Sequence, residues 1–185
     1  VKKHHLINLF LSGLITTQIV TISHVVKAAP INFNQQEKIL TAQNTPQLTS
    51  EKITEIMASI ENAEKSENLS QLLDFLTPYT FSTISTESDN TTIITTLEGK
   101  DEHEYYLSNS FKRVKEREYL NSYSSIKVTE DGQMALVTRI RATNITTEEG
   151  QNYLSLSTDK IRFALIDNQP KIVNIEVKGW LEQRP

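Results

Sequence analysis

Apolar positions recur along this chain with two different periods, and the change from one to the other divides it. After a cap at Thr49 or Ser50 and an acid, Glu51, in the first turn, Ile53, Ile56, Met57 and Ile60 share one helical face. Leu69, Leu72, Leu73 and Leu76 predict a second helix, which Pro78 ends because the residue before a proline is pushed out of the helical region. The stretches from Tyr79 to Thr86 and from Thr91 to Leu97 are rich in β-branched and aromatic residues. With Ser88, Asp89 and Asn90 as turn residues between them, they read as a short hairpin. Gly99 breaks that run. Asp101 followed by Glu104 forms an Asp variant of the capping box and predicts a third helix over about 102–115, with His103, Leu107, Phe111 and Val114 on its apolar face.

From there the period is two. Ile126 and Val128 alternate with polar residues up to a turn at Asp131 and Gly132, after which Met134, Leu136 and Ile140 resume the alternation as the inward set. Beyond a turn at Glu149 and Gly150, Leu154 and Leu156 lead into Ile161, Phe163 and Leu165, and Asp159 marks a bulge where the inward set changes parity. Asn168 and Pro170 turn the chain once more, and Val173, Ile175 and Val177 form a closing strand ended by Gly179 and Trp180. Long antiparallel strands of this kind bury one face, and the helices are the available cover.

Ahead of this domain lies a different kind of sequence. Lys2 and Lys3, with His4 and His5, precede an apolar, acid-free stretch from Leu6 to Val26, and Val26 and Ala28 have the small-x-small spacing that signal peptidases accept. Residues 1–28 are therefore expected to be a signal peptide cleaved after Ala28, with Ala29 as the alternative site, and the product is periplasmic or secreted. The rival reading is a membrane anchor, against which Asn8, Gln18, Ser23 and His24 make a poor hydrocarbon span. Residues 29–48, rich in Asn and Gln and carrying Pro30 and Pro46, read as a flexible linker to a domain over residues 49–185.

Cleavage changes the charge. The leader holds Lys2, Lys3 and Lys27 and no acid, so 19 basic residues fall to 16 against 23 acidic ones and the net charge moves from −4 to −7. An acidic domain is repelled by phosphate backbones and anionic lipid, which argues against nucleic-acid partners and against a stable membrane anchor after cleavage. The absence of cysteine excludes disulfides, thiolate zinc sites and cysteine nucleophiles, and scattered glycines exclude a P-loop or a dinucleotide fingerprint.

The order helix, helix, hairpin, helix, four-stranded meander resembles the nuclear-transport-factor-2-like superfamily, which includes ketosteroid-isomerase-like and polyketide-cyclase-like members. The residues that carry the resemblance are Leu72, Leu73 and Phe75 before Pro78, Gly99 before the helix with Tyr106 and Phe111, the Asp131-Gly132 hairpin, and the final Gly179-Trp180-Leu181, spanning roughly Leu48 to Leu181. It implies an α+β fold in which three N-terminal helices pack on a strongly curved, mixed but mostly antiparallel sheet. That sheet forms a cone-shaped barrel with a pocket at its open end and an outer face that often mediates dimers. It also implies that Tyr79, Phe81, Tyr106, Tyr123 and Trp180 lie near the opening, where aromatic walls hold small apolar ligands. Members of the superfamily include acid/base enzymes as well as non-catalytic modules, and fold alone does not choose between them.

No acid here aligns with the isomerase-like base, and dehydratase-like members rely on paired histidines and acids, whereas His103 is the only histidine after the leader. Asp101 and Glu104 beside it offer to orient it as a base, but its place at the head of an apolar face reads as a structural boundary position. No G-x-S-x-G elbow marks a nucleophilic serine. Asp101, Glu102, His103 and Glu104 diverge on one helical turn and cannot converge on a metal. Lys112, Arg113, Lys115 and Arg117 suit a helix C-terminus, Arg139 alternates so as to face solvent or a partner sheet, and Asn68, Asn90 and Asn144 match glycosylation tripeptides by composition. The expected function is an exported, non-catalytic small-ligand-binding or protein-association module, without cofactor or metal, whose outer sheet face, at Ala135, Val137 and Tyr153, forms a homodimer. The alternative is a ketosteroid-isomerase-like or cyclase-like enzyme.

Overall fold

The structure is a computed structural model that describes residues 46–88 and 91–185. The expected signal peptide, most of the expected linker and the expected hairpin turn at Asp89 and Asn90 lie outside the described residues. Helices α1 (Ser50–Lys65) and α2 (Leu69–Asp74) come first, followed by the hairpin of β1 (Leu76–Ser88) and β2 (Thr91–Glu98) and by α3 (Gly99–Arg113). Strands β3 (Val114–Val128), β4 (Met134–Thr147), β5 (Asn152–Ile166) and β6 (Gln169–Arg184) complete the chain. The class is α+β, with a six-stranded mixed sheet in the order β2-β1-β6-β5-β4-β3. All neighbours are antiparallel except β1 and β6.

Local chemistry sets the element ends. The Thr49 hydroxyl accepts from Lys52 N–H at 3.2 Å, which caps α1. Asn68 caps α2 through Oδ1, accepting from Gln71 N–H at 3.1 Å. The second helix is shorter than its leucine spacing predicts: it stops at Asp74, and Leu76 instead opens β1 opposite Ile172, because that strand pairing buries it. The third helix begins earlier than the Asp101 capping box predicts. Glu98 is its cap residue, and the Glu102 carboxylate reaches back to accept from Glu98 N–H at 2.7 Å. Gly99 has φ +71°, and a Cβ there would stand 3.0 Å from the Pro78 carbonyl oxygen, so the tight approach of α3 to β1 calls for glycine. Asp167 and Asn168, both at positive φ (51° and 61°), make the two-residue turn between β5 and β6.

Register decides what each strand buries. On β4 the inward row is Ala135, Val137 and Arg139, aligned with Phe163, Ile161 and Asp159 of β5. Met134, Leu136 and Ile140 point to the opposite face, which reverses the parity that hydrophobicity alone predicts for β4. The same correction applies to the expected dimer surface: Ala135, Val137 and Tyr153 are buried, whereas Met134, Ile140 and Leu156 are exposed. No bulge occurs at Asp159. It stays in step with Ile161 and Phe163, while Leu154 and Leu156 fall on the outer face, and the register shift lies instead on β6 at Val173.

The inner face is covered chiefly by α1, whose Ile53, Met57, Ile60 and Ala63 pack with Val137, Ile161, Phe163 and Ile172. Leu107 and Phe111 of α3 and Ile126 and Val128 of β3 complete the periphery. Replacing Phe163, which is fully buried, with Ala is expected to lower stability by about 3–5 kcal/mol. Leu156→Ala, on the outer face, should cost under about 1 kcal/mol. Urea denaturation of the two variants checks the parity, and equal costs would contradict it.

Candidate functional site

The helix-covered face carries two polar clusters. At one, His103 of α3 is 4% exposed and lies against Ser82 of β1, with Ser82 Oγ 2.6 Å from His103 Nε2. Its Nδ1 bonds the Gly99 carbonyl oxygen, which only accepts, so Nδ1 carries the proton and Nε2 accepts from the serine hydroxyl. Burial holds the imidazole pKa below its usual 6.5, against smaller opposing effects of the Gly99 carbonyl and Glu102. A neutral imidazole accepting a serine proton is the geometry of a base beside a nucleophile. Here, however, both side chains are buried, and neither lines the surface depression between α1, β3 and β4. The boundary position expected for His103 is in fact a fully packed one, because Gly99 lets α3 sit close on β1.

The second cluster was not legible in any single stretch of sequence. Arg139 of β4 and Asp159 of β5 are directly opposite in register and are 2% and 1% exposed, so the solvent-facing placement expected for Arg139 is overturned. Arg139 Nε donates to Asp159 Oδ2 at 3.0 Å, and its Nη atoms reach Glu64 of α1 at 3.2 and 3.3 Å. Arg141, next in the inward row, bridges the same two acids, with contacts of 2.8 Å to Glu64 Oε2 and 3.0 Å to Asp159 Oδ2. Burial works against the Arg139 charge, but Glu64 and Asp159 outweigh it and raise its pKa. Arg141 Nε and Asp159 Oδ1 are buried without a hydrogen-bond partner among the described residues.

Where this network meets the surface there is a depression of about 150 Å³, lined by Glu61, Glu64, Lys65, Tyr119, Asn121 and Arg141, with Leu120 and Ser122 beside them. Lys65 Nζ stands 5.6 Å from the centre of the Tyr119 ring. Burial, and then the Glu64 charge, push the Tyr119 hydroxyl pKa up, so it stays a donor at neutral pH.

No protein-family model matches the chain, and no curated protein matches it. Solved structures do. A type 2 hexachlorocyclohexane dehydrochlorinase (LinA) superposes with TM-score 0.60 at 10% identity, covering 72% of this chain and 86% of its own. An NTF2-like protein of unknown function from Pseudomonas putida KT2440 gives 0.53 at 8%, covering 69% and 84%. A ketosteroid isomerase-like protein from Erwinia carotovora atroseptica gives 0.52 at 12%, covering 69% and 92%. The chain has the nuclear-transport-factor-2-like fold.

Within this nuclear-transport-factor-2-like domain the aromatic set is spread out. Phe81, Tyr123 and Trp180 are paired in register with Asn174, Ile140 and Leu156, all on the face opposite Arg139 and Asp159. Tyr123 is 70% exposed there, and Tyr79, in the irregular start of β1, is 84% exposed. Tyr106 faces the interior, and burial pushes its hydroxyl pKa up to about 12. The structure therefore brings none of these rings to the depression, whose one aromatic wall is Tyr119. Among the described residues no three His, Asp or Glu are grouped to hold a metal ion. Arg117 is engaged with Glu67 at 2.7 Å and stacks over Phe111 at 5.3 Å, and Asn144 donates to Glu118 at 2.7 Å.

Removing one partner of the buried network leaves a charge unpaired, so Asp159→Ala should cost about 3–5 kcal/mol. The paired change Arg139→Met with Asp159→Leu should cost far less, and chemical denaturation of the single and double variants measures the difference. His103, with a pKa lower in the folded than in the unfolded chain, contributes stability that is complete above the unfolded value near 6.5 and is lost as pH falls towards the folded value. Denaturation at pH 7.5 and at pH 5 should show wild type losing more stability than His103→Gln. At the higher pH that variant should be about 1–3 kcal/mol weaker, because Ser82 loses its acceptor.

Proposed function

We propose that the protein is an exported, non-catalytic module that binds a small molecule in the depression between α1 and β3–β4 and self-associates through its outer sheet face. The observation that carries this reading is the engagement of the interior's ionisable groups with one another. The histidine is sealed against Ser82, and Glu64 and Asp159 are committed to Arg139 and Arg141. Acid/base catalysis needs a group that can exchange protons with a substrate within hydrogen-bonding reach. Groups locked in buried ion pairs serve shape and specificity instead. Self-association is supported by Tyr123, Ile140, Leu156 and Trp180, which leave apolar surface exposed on the face the helices do not cover. Export is supported by the Lys2-Lys3 start and the Val26-x-Ala28 site.

The enzyme reading draws on the Ser82–His103 geometry and on the dehydrochlorinase and isomerase-like names of structural neighbours. It requires an opening of α3 away from β1 to admit substrate. Native mass spectrometry of the protein from its own source tests the proposal. The expected spectrum is a dimer of chains starting at Ala29, each carrying a small molecule released on denaturation. A monomer that retains residues 1–28 and releases nothing would count against it.

A further inference from the structure

The six-stranded sheet has two edge strands, and they differ in how they are guarded. At one end, β3 carries Lys115, Glu116, Arg117, Glu118 and Lys127, and a register shift between Tyr119 and Asn121 leaves Leu120 as an extra residue in its ladder with β4. Charges and bulges of this kind keep a free edge from pairing with another strand. At the other end, β2 has neither. Residues 91–97 are uncharged and free of Pro and Gly, residues 91–96 are all β-branched, and the pairing with β1 runs unbroken from Thr91 to Glu98. On its far side the N–H and C=O groups of alternate residues point out of the sheet. Ile94, at the middle of the run, is 67% exposed.

We infer that β2 pairs edge to edge with β2 of a second copy, the two strands antiparallel about a two-fold axis at Ile94. An axis normal to the sheet keeps the two faces of each strand, so only residues of like parity come opposite one another. Centred on Ile94, the register sets Ile94 against itself, Thr92 opposite Thr96, Ile93 opposite Thr95 and Thr91 opposite Leu97. No charge enters these pairs, and each exposed isoleucine covers the other. A centre at Thr95 brings Glu98 opposite Thr92, and a centre at Ile93 pairs fewer residues of the run. Joining β2 to β3 of another copy would be a head-to-tail contact that does not close, and the charges and bulge of β3 oppose it. Seven residues a side is well below the 20–30 of a standard stable interface, so the pairing is reversible and concentration-dependent. It lies in the plane of the sheet and is separate from association through the outer face.

The chain has no cysteine, so engineered thiols read the register directly. Directly opposite residues have Cβ atoms about 5 Å apart, so Ile94→Cys should give a disulfide-linked dimer under mild oxidation. The double variant Thr92→Cys with Thr96→Cys should do the same. Thr96→Cys alone should not, because its two copies are offset by four residues, about 13 Å along the strands. Sedimentation between about 10 μM and about 1 mM should show self-association that Ile94→Lys weakens by about tenfold or more, with unchanged circular dichroism, and that Ile94→Val retains. Ile140→Lys, on the outer face, should leave the Ile94→Cys link intact, and loss of the link in that background would make it a by-product of outer-face association and overturn the inference. Equal linking by Ile94→Cys and Thr96→Cys, or none by either, would overturn it as well. So would β2 amides protected from hydrogen exchange to the same degree at every dilution, since the edge would then be covered by its own chain.

Discussion

The pairing of Arg139 with Asp159 across the β4–β5 ladder is the constraint on which the interior depends. Two charges taken out of water are tolerable only when each finds the other and further hydrogen bonds besides, and a slip of one residue in register would separate them by turning one to the outer face. The pair therefore pins the alignment of the two strands more tightly than Val137 against Ile161, since an apolar contact survives small misalignments. Glu64 extends the constraint to the helix layer. By accepting from both arginines it fixes the end of α1 over the sheet, and the apolar residues of that helix are then held above Phe163 and Ile172.

Much of the architecture is readable in the sequence because its boundaries are local. The Thr49 cap, the break at Gly99, the Asp131-Gly132 turn and the turn at Asn168 each act through backbone chemistry within a few residues. The nuclear-transport-factor-2-like order follows from those boundaries, and the solved structures share it. The faces of β4 and β5 are another matter. Strand β4 offers two rows, Met134-Leu136-Ile140 and Ala135-Val137-Arg139, and hydrophobicity selects the wrong one because Arg139 is acceptable inside only with a partner that another strand supplies. The outward placement of Phe81, Tyr123 and Trp180 is likewise a matter of register.

The candidate site was hidden for a related reason. Glu64, Tyr119, Arg141 and Asp159 come from α1, β3, β4 and β5, and no short motif joins them. One signal was available: Asp159 lies at the same parity as Ile161 and Phe163, and an acid in an inward row demands a cation in the next strand. The helical spacing of His103 with Leu107 and Phe111 places it on the apolar face, but its depth depends on Gly99, whose missing side chain brings α3 down onto Pro78.

Strand β6, which follows the other five strands in the chain, lies between β1 and β5. Until it is synthesised, the β1–β2 hairpin and the β3–β4–β5 meander have no ladder in common, and Leu76 cannot meet Ile172. Contacts so distant in the chain make for slow folding, because a large loop must close before any of them is rewarded. A chain stopped short of β6 is thus two unjoined sheet fragments, each with a bare edge, rather than a smaller version of the same domain.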